Sequence, residues 1–362
     1  MYKEVNQYIQ NYSSKNYSFI VGNGTSSIYL ALKASRLPKG SKIAVPNISC
    51  PDPVYALIWA GYKPIFIDIN IDDYNMNIKS LENFLQKDKD IKAIIAIHLF
   101  GNACDIVAIQ KLSKEYNCFL LEDCAQAFGN KIDEGKLGSF GDVSIFSFGN
   151  GKIIEVGHGG SIQTNKKELL KNIKLEYERL PKYDEKKISS LSKKHRTIYY
   201  KLYYLGIKYP KLNILNLVYI YFFKDYYLYK LDESFLEEIK QKFESFISDK
   251  NRRVKLINSY IKSLKEIIEI PKLNNKENIL SRLTIQIENA EVVSKIIRDD
   301  HIPSNTMYPM LVDRFQIFFD KNKYNNSYKL KDSMLNLWTN DINNKQINQT
   351  IDILKSRILD VK

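Results

Sequence analysis

The sequence lacks the features that mark exported, membrane-spanning and disulfide-bonded proteins. No apolar run is both long enough and free enough of charge to span a bilayer. The first ten residues, MYKEVNQYIQ, contain no apolar signal-peptide core. The chain has only four cysteines, their spacing fits no metal-ligand motif, and 362 residues can bury a core without disulfides. These absences predict a soluble protein of the reducing cytoplasm.

Acidic residues are scarce relative to basic ones, which gives the chain a formal net charge of +13. Such a charge invites a nucleic-acid interpretation, but the lysines are spread along the whole chain and no nucleic-acid-binding motif accompanies them. Dispersed charge gives only weak, nonspecific attraction to a polyanion. We therefore expect no nucleic-acid partner, and affinity instead for anionic substrates or an acidic membrane surface.

Short apolar runs alternate with amphipathic helical patterns between about residues 18 and 165. Alternation at this spacing predicts an α/β fold, with a mostly parallel sheet covered by helices on both faces. The runs that predict strands are YSFIVG, KIAVPNI, PIFIDI, AIIAIHLF, CFLLED, VSIFSF and GGSIQT. Ligands of such sheets bind at the carboxyl ends of the strands, so reactive groups are expected directly after each apolar run.

The remainder of the chain has a different character. Residues 166–195 are polar and predict a helix followed by a solvated loop. Residues 196–230 are dense in Tyr, Leu, Ile and Phe with interspersed Lys, and Gly206 and Pro210 are expected to divide them into two short elements. A long helix with 3.6-residue periodicity is predicted from Leu231 onwards.

These patterns predict two domains. Residues 1–240 would form the large domain, with 196–230 as an insertion. Residues 241–362 would supply the linking helix and a smaller α+β domain at the C-terminal end.

A glycine-rich turn, Gly22-Asn23-Gly24-Thr25-Ser26-Ser27, lies between a predicted strand and a predicted helix. Glycines allow a tight turn, and a helix N-terminus offers unpaired N–H groups and a partial positive charge. Hydroxyls in the turn would add hydrogen-bond donors, so the turn suits a phosphate group. The alternative is an ordinary turn with a Ser/Thr helix cap.

An acidic pair ends the apolar run CFLLED. A carboxylate at the end of a strand, here that of Asp123, is well placed to meet a cationic ring nitrogen. A pyridine ring whose nitrogen is held protonated acts as an electron sink. The alternative is that Asp123 only caps the following helix.

A single lysine, Lys152, lies in a glycine-rich loop after the run VSIFSF. A lysine that forms a Schiff base must reach an aldehyde and lose its proton, which burial and nearby positive charge favour. Ser147 lies five residues earlier, at the strand end, where its hydroxyl could meet the same phosphate. A lone loop lysine is normally solvated, but the glycines and aromatic residues around Lys152 distinguish it.

In chain order, these three segments supply a phosphate-binding turn, a carboxylate for a ring nitrogen and a lysine for an aldehyde. In this the sequence resembles the DegT/DnrJ/StrS group of pyridoxal-phosphate (PLP)-dependent sugar aminotransferases, which share the fold of aspartate aminotransferase. The resemblance runs from about residue 16 to the C-terminus, except for one poorly matching stretch. It is carried by GTSS, HLFG, EDCAQAFG, GSFGD, SFGNGK and GHGG, and more weakly by Tyr308-Pro309 and MLNLW.

The resemblance implies a three-layer PLP-transferase large domain with a smaller α+β domain, in a homodimer. It makes Lys152 the lysine that carries PLP as a Schiff base, and Asp123 the partner of the pyridinium nitrogen. Gln126 would lie near the phenolic oxygen of the ring. The phosphate would be held by Gly24, Thr25, Ser26 and Ser147.

The implied reaction transfers an amino group from an amino acid, usually glutamate, to a nucleotide-linked keto sugar, for surface polysaccharide or glycan biosynthesis. Related sugar dehydratases have histidine at the position of Lys152, because they must not tether the cofactor, so the lysine favours transamination. Two alternatives stay open: a PLP-dependent sugar dehydratase, and a non-catalytic regulatory or scaffold homologue of the same fold.

Three positions depart from the family pattern. Cys50 occupies the place of an aromatic residue that stacks on the cofactor ring, so it would contact the ring or only fill a small buried space. His158 occupies the place of a common glutamate, and would contact substrate or stabilise its turn. Leu228 lies where the family has an asparagine that reaches the partner subunit's cofactor phosphate. Tyr308, near the C-terminus, is a candidate for the sugar pocket.

The aromatic and basic residues 196–230 allow two interpretations. One is additional packing at the dimer interface. The other is a surface helical hairpin that docks on the inner membrane or on a membrane-bound glycosyltransferase, because Tyr-rich helices flanked by lysine suit an interface.

Overall fold

The structure is a computed structural model that describes residues 1–277, 279–306, 315, 324–330, 332–339 and 342–359. Its strands are β1 (Tyr17–Val21), β2 (Lys42–Pro46), β3 (Lys63–Ile67), β4 (Ile91–Ile97), β5 (Phe119–Asp123), β6 (Lys131–Ile132), β7 (Gly135–Lys136), β8 (Val143–Ser147), β9 (Gly160–Thr164), β10 (Arg282–Gln286), β11 (Ser304–Asn305) and β12 (Met334–Trp338).

The helices of the large domain are α1 (Tyr2–Ser13), α2 (Gly24–Ala34), α3 (Asp52–Ala60), α4 (Ile78–Lys87), α5 (Ile106–Glu115), α6 (Lys167–Glu178), α7 (Glu185–Lys208), α8 (Leu215–Phe222) and α9 (Lys224–Tyr227). The chain continues with α10 (Leu236–Leu264), α11 (Ala290–Asp299), α12 (Asn325–Leu330) and α13 (Asn344–Leu359). Short 3₁₀ turns lie at Leu99–Gly101, Pro210–Ile214 and Glu233–Phe235.

A seven-stranded sheet forms the centre of the large domain, in the order β1-β9-β8-β5-β4-β2-β3. Neighbours from β8 to β3 are parallel, whereas β9 runs antiparallel to both β8 and β1. All seven strands predicted from the apolar runs lie in this sheet. The prediction of an α/β fold with a mostly parallel sheet is therefore confirmed.

Side chains that alternate along the central strands divide the large domain into three layers. On β4, Ile95 and Ile97 belong to one core and Ile94 and Ala96 to the other, because successive residues of a strand point to opposite faces. Helices α2, α3 and α6 pack in the first core. Helices α1, α4 and α5 and the first half of α10 pack in the second.

A second, three-stranded sheet, β10-β12-β11, lies in the C-terminal part of the chain. It shares a third core with α11, α13 and the second half of α10. Phe243 and Phe246 in the first half of α10 belong instead to the core of the large domain. The predicted division between residues 240 and 241 falls within α10, and we propose that this helix joins the two domains.

The chain between β9 and α10 differs from the prediction. α7 begins at Glu185, inside the residues expected to form a solvated loop, and continues through Gly206 to Lys208. A glycine inside a helix costs about 1 kcal/mol relative to alanine, which the other turns of a 24-residue helix outweigh. The helix ends before Tyr209-Pro210, since the residue before proline is disfavoured in helical conformation.

A membrane crossing was not expected from the sequence. Among the described helices, none combines the length and hydropathy that a bilayer crossing requires.

Candidate active site

A cavity of about 670 Å³ lies at the carboxyl edge of the parallel strands. Ile97 and Asp123 end two neighbouring strands, and Asp123 pairs in register with both Ile97 and Ile145 of β8; all three line the cavity. The N-terminus of α2, the loop after β8 and the first turns of α7 complete its walls. Its size and its position at the strand ends are typical of a small-molecule site in an α/β protein.

Most of the predicted site residues line this single cavity. They come from loops that are distant in sequence: Gly24, Thr25, Cys50, Asp123, Gln126, Ser147, Lys152 and His158. Ser26 is described but does not contribute to the wall. Tyr308 lies outside the described residues.

The predicted phosphate-binding turn and the end of β8 form a common cradle. A Cβ atom at Gly24 would lie 2.8 Å from the Cβ of Ser147, so only glycine lets the two segments approach this closely. Asn23 caps α2 by accepting a hydrogen bond from the N–H of Ser26 at 2.8 Å. The hydroxyl of Ser147 and the first turn of α2 therefore lie side by side at the cavity wall.

Ser26 departs from its predicted role. Its hydroxyl donates to the carbonyl oxygen of Tyr227 at 2.7 Å, and its N–H donates to the side chain of Asn23. Because both donors are engaged inside the protein, Ser26 fastens the chain after α9 to the start of α2 instead of facing the cavity.

Asp123 presents a buried carboxyl group to the cavity. One of its oxygens accepts the N–H of Ala125 at 2.9 Å, which orients the group within the turn after β5. Burial raises its pKa, although that hydrogen bond and the charge of Lys152 act in the opposite direction. A cation placed against this carboxylate would favour the charged form, as a protonated ring nitrogen does.

The residue before Asp123 supports the site from the opposite face of the sheet. The carboxylate of Glu122 accepts N–H groups from Gly138 at 2.6 Å, Phe140 at 2.8 Å and Gly141 at 2.9 Å. Burial by itself would raise its pKa, but the hydrogen bonds from His98 and from these N–H groups outweigh that effect and lower it. The GSFGD motif therefore anchors the end of β5.

His98 belongs to the same supporting network. It is fully buried, with Nε2 3.2 Å from the carboxylate of Glu122. Its Nδ1 accepts the N–H of Cys104 at 3.2 Å, which leaves Nε2 to donate to Glu122. Glu122, His98 and Cys124 approach each other closely enough to bind a metal, but backbone groups already occupy this carboxylate and ring. We interpret the cluster as structural.

The lysine loop rests on the C-terminal sheet. Gly151 adopts a φ of +70°, and a Cβ there would lie 3.1 Å from the ring of Trp338. The guanidinium of Arg282 stacks on that ring at 4.5 Å. Lys152, the next residue, lies close enough to Asp123, Asp52 and Cys50 that its charge opposes the rise in pKa that burial causes in each.

Asp52 is a cavity residue that sequence reasoning missed. It begins α3 at the carboxyl end of β2, and its Oδ2 accepts a hydrogen bond from the hydroxyl of Thr25 at 3.4 Å. Burial raises its pKa and the charge of Lys152 opposes that rise. The signal was an acid shortly after an apolar run, the same pattern that identified Asp123.

Residues 227–229 lie against the Gly24–Ser147 cradle from within the same chain. The side chain of Asn23 donates to the carbonyl oxygen of Tyr227 at 2.7 Å, and the hydroxyl of Tyr227 lies 2.8 Å from Nε2 of His195. Leu228 itself is buried in the core beside α2 and α3. Tyr227 and Tyr229 thus line the cavity on either side of the position where an asparagine was expected.

His158 lies beside Tyr229, the last of these residues. Its ring stacks on that of Phe235 at 4.2 Å, and its Nδ1 lies 3.4 Å from the hydroxyl of Tyr229. Burial lowers its pKa. The histidine both stabilises its turn and lines the cavity, so both of its predicted roles stay open.

A seven-stranded sheet between two helical layers, with a cradle, a carboxylate and a lysine at its carboxyl edge, defines a protein with the PLP-transferase fold. The solved structure of DesV from S. venezuelae shares this fold, with a TM-score of 0.78 over 99% of this chain and 89% of that one, at 18% sequence identity. More specifically, the chain belongs to the DegT/DnrJ/EryC1/StrS aminotransferase family, whose model matches residues 2–210.

Two curated relatives show the range of this likeness. GDP-perosamine synthase of Escherichia coli O157:H7 is 34% identical over 169 residues, which are 45% of this chain and 46% of that protein. A dTDP-3-amino-3,6-dideoxy-alpha-D-galactopyranose transaminase of Aneurinibacillus thermoaerophilus is 36% identical over 163 residues, 45% of this chain and 44% of that protein. The chain matches a little under half the length of each relative.

Proposed function

We propose that the protein is a PLP-dependent aminotransferase that converts a nucleotide-linked keto sugar into an amino sugar, with glutamate as the amino donor. The observation that carries the proposal is the meeting of Lys152, Asp123 and the Gly24–Ser147 cradle in one cavity. The names of the two relatives, a GDP-sugar synthase and a dTDP-sugar transaminase, support a nucleotide sugar as the acceptor.

The cavity fits PLP at three points. The start of α2 and the hydroxyl of Ser147 would hold the phosphate, where the missing side chain of Gly24 leaves the backbone accessible. Asp123 would hold the protonated ring nitrogen, and Lys152 would bind the aldehyde carbon. When bound, PLP supplies an electron sink for the negative charge that develops on the α-carbon of the donor.

The residues of the chain then move and hold protons. After the donor amine has displaced it from the aldehyde carbon, the Nζ of Lys152 would take the proton from the donor's α-carbon and deliver it to that former aldehyde carbon, and the same group would act in reverse on the sugar. The carboxylate of Asp123 would keep the ring nitrogen protonated during both halves of the reaction. Tyr183, Ser189 and Ser192 line the outer wall, where they would limit the access of water and donate hydrogen bonds to the sugar.

Lysine at position 152 supports transamination over the dehydratase alternative, because a dehydratase must leave the cofactor untethered. The non-catalytic alternative is opposed by Asp52 and Asp123. Burial raises the pKa of both carboxyl groups, which is an electrostatic cost that a scaffold protein has no reason to retain. As parts of the same proposal, we place the enzyme in the cytoplasm as a homodimer that serves surface polysaccharide or glycan biosynthesis.

Absorbance spectroscopy with PLP tests the proposal. The wild-type protein should give the absorption band of lysine-bound PLP, and glutamate should convert it to the band of the pyridoxamine form. Lys152→Ala should lose both the first band and the response, whereas Lys167→Ala, at an exposed lysine of α6, should keep them. Identical spectra and responses for wild type and Lys152→Ala would refute the assignment.

The acceptor can then be identified from the pyridoxamine form. Keto sugars linked to GDP, dTDP or UDP should be tested for their ability to restore the original band. We expect one nucleotide class to restore it. Restoration by simple keto acids alone would show that the enzyme does not act on sugars.

A further inference from the structure

All charged side chains of residues 186–224, here called the basic-aromatic segment, are basic. They contain nine Lys or Arg residues and no Asp or Glu. The segment therefore carries nine positive charges in a chain whose formal net charge is +13. Lys187 pairs with Asp225 just outside the segment, but within the segment the basic residues have no acid to offset them, and a field of one sign attracts an anionic surface.

The same segment exposes much of the apolar surface of the protein. Nine of the fifteen strongly exposed large apolar side chains among the described residues lie between residues 198 and 222. The most exposed are Val218 at 67%, Tyr221 and Phe222 at 59% each, and Ile214 at 56%. Single exposed apolar residues are ordinary, but a cluster of this kind marks an interaction site.

Helix α8 is apolar on both of its faces. Tyr219, Ile220 and Phe223 are buried against the body of the protein, and the indole N–H of Trp59 donates to the carbonyl oxygen of Ile220 at 3.2 Å. Val218 and Phe222 point away from that contact into solvent. A helix that carries apolar side chains on its exposed face as well as on its buried face favours a second apolar partner in addition to the one it packs on.

Exposed lysines lie next to the exposed apolar residues in the chain. Lys201, Lys208 and Lys211 are exposed at the end of α7 and in the 3₁₀ turn that leads to α8. The ammonium group of Lys208 lies 5.3 Å from the ring of Tyr209. Apolar side chains flanked by cations suit the surface of an anionic membrane. The apolar side chains would contact acyl chains, and the cations would contact phosphate headgroups.

A second copy of this chain is a poorer occupant of the surface. Two copies that met symmetrically through this face would bring the same lysines together, with no acid in the segment to offset them. An anionic bilayer satisfies both the charge and the apolar contact.

We propose that the tip of the basic-aromatic segment, residues 201–222, docks the protein peripherally on a membrane that contains anionic lipid. Docking of this kind would place the cavity beside the bilayer, since Ile188, Ser189 and Ser192 of the same helix α7 line its wall. The proposal does not depend on the reaction, and its test requires no substrate.

The test is co-sedimentation of the intact protein with vesicles. We compare vesicles of phosphatidylcholine alone with vesicles that also contain phosphatidylglycerol. Binding to the anionic vesicles, weakened by salt, is expected, together with little binding to the neutral ones. Equal binding to both kinds of vesicle, or binding to neither, would overturn the proposal.

Two sets of variants separate the charge from the apolar contact. Lys201→Gln, Lys208→Gln and Lys211→Gln combined should weaken binding to anionic vesicles by about 100-fold, at about fivefold for each lysine near the surface. Val218→Asp with Phe222→Asp should also abolish sedimentation. Ile247→Asp and Val292→Asp are the matched controls, because these residues are 65% and 58% exposed outside the segment.

Folding and self-association are checked on the same samples. Thermal unfolding identifies any variant that fails to fold, and the lysine set tests the proposal even if the aspartate set is unstable. Unchanged vesicle binding by the lysine set would refute docking through this tip. A lipid-free change of molecular mass in the tip variants, without any loss of vesicle binding, would assign the surface to protein contacts instead.

Discussion

The strand-end loops and the basic-aromatic segment both contribute to the cavity wall, yet they fulfil opposite requirements. In the loops, polar groups are fixed by backbone partners, as the carboxylate of Glu122 is by three N–H groups. In the segment, apolar side chains such as Val218 and Phe222 are left in solvent. The buried carboxylate of Glu122 is hydrogen-bonded inside the protein, whereas the segment exposes apolar side chains to solvent.

This difference separates the residues proposed to bind the cofactor from the residues proposed to dock on a membrane. The loops occupy the carboxyl ends of the parallel strands, where a sheet fixes positions accurately. The contacts that hold the segment on that frame include the hydrogen bond from Trp59 to Ile220. Changes in the loops should therefore affect binding and stability strongly, and changes in the segment should act locally.

Gly24→Ala should have the largest effect. The added Cβ would lie 2.8 Å from the Cβ of Ser147, and crowding of this kind in a packed site costs about 1–3 kcal/mol. We expect weaker binding of PLP in a spectroscopic titration and a lower melting temperature. Gly149→Ala is the control, because its Cβ would only come within 3.6 Å of the hydroxyl of Ser147. Binding of PLP by Gly24→Ala with the wild-type affinity would contradict the proposal that this cradle holds the phosphate.

Asp123→Asn should stabilise the cofactor-free protein at alkaline pH. Burial raises the pKa of Asp123, so its contribution to stability is present below the unfolded-state pKa and is lost as the pH rises through the folded-state value. Each pKa unit of that rise is equivalent to about 1.4 kcal/mol. Urea unfolding at about pH 4 and about pH 8 should show that the free energy of unfolding of the variant rises relative to that of wild type only at the higher pH.

The matched control for that experiment is Asp133→Asn, whose side chain is 85% exposed. It should follow the wild-type pH dependence. If the free energy of unfolding of Asp123→Asn differed from that of wild type by the same amount at both pH values, ionisation of the buried carboxylate would not be what destabilises the wild-type protein.

Trp59→Phe tests the attachment of the segment. The substitution keeps most of the ring but removes the indole N–H that donates to Ile220, a loss of about 1 kcal/mol. We expect faster amide hydrogen exchange in α8, with the strands of the central sheet unchanged. Tyr62→Phe removes a hydroxyl that donates to Leu32 at 3.3 Å instead, and should leave exchange in α8 as it is. Equal exchange in both variants would show that other contacts hold α8.

Lys187→Gln should have the smallest effect. Its ammonium group lies 2.7 Å from the carboxylate of Asp225 and joins α7 to α9, but both side chains are about half exposed. Exposed ion pairs of this kind contribute about 0.2–1 kcal/mol. A double-mutant cycle with Asp225→Asn should give a coupling energy in that range, falling with added salt. A larger, salt-independent coupling would mean that the segment is fixed more firmly than its exposure suggests.

The sheet and most of the cavity residues could be predicted from the sequence because their signals are local. A short apolar run that ends in an acid or is followed by glycine marks a strand and the loop at its end. Asp123 and Ser147 lie at the ends of such runs, and Lys152 lies in the loop after one. Their convergence was predictable as well, since parallel strands present their carboxyl ends at one edge.

Other features depended on tertiary contacts that no local pattern contains. Ser26 belongs to the predicted turn, but Tyr227 takes its hydroxyl, and the two are 201 residues apart in the chain. Asp52 followed an apolar run like Asp123, but the intervening Ser49-Cys50-Pro51 obscured its position at the cavity. The course of α7 through Gly206 was mispredicted because a single glycine was given more weight than the length of the helix.

The pairing of β1 with β9 has a consequence for how the protein is made. Tyr17 lies opposite Thr164, so the strand that precedes the Gly24 turn has no neighbour in the sheet until the chain has been synthesised past residue 164. Contacts between residues so far apart form late, because closing a long loop costs entropy before any contact repays it. The turn and the lysine loop would therefore be brought together by the last strand of the sheet, after the other strands have paired.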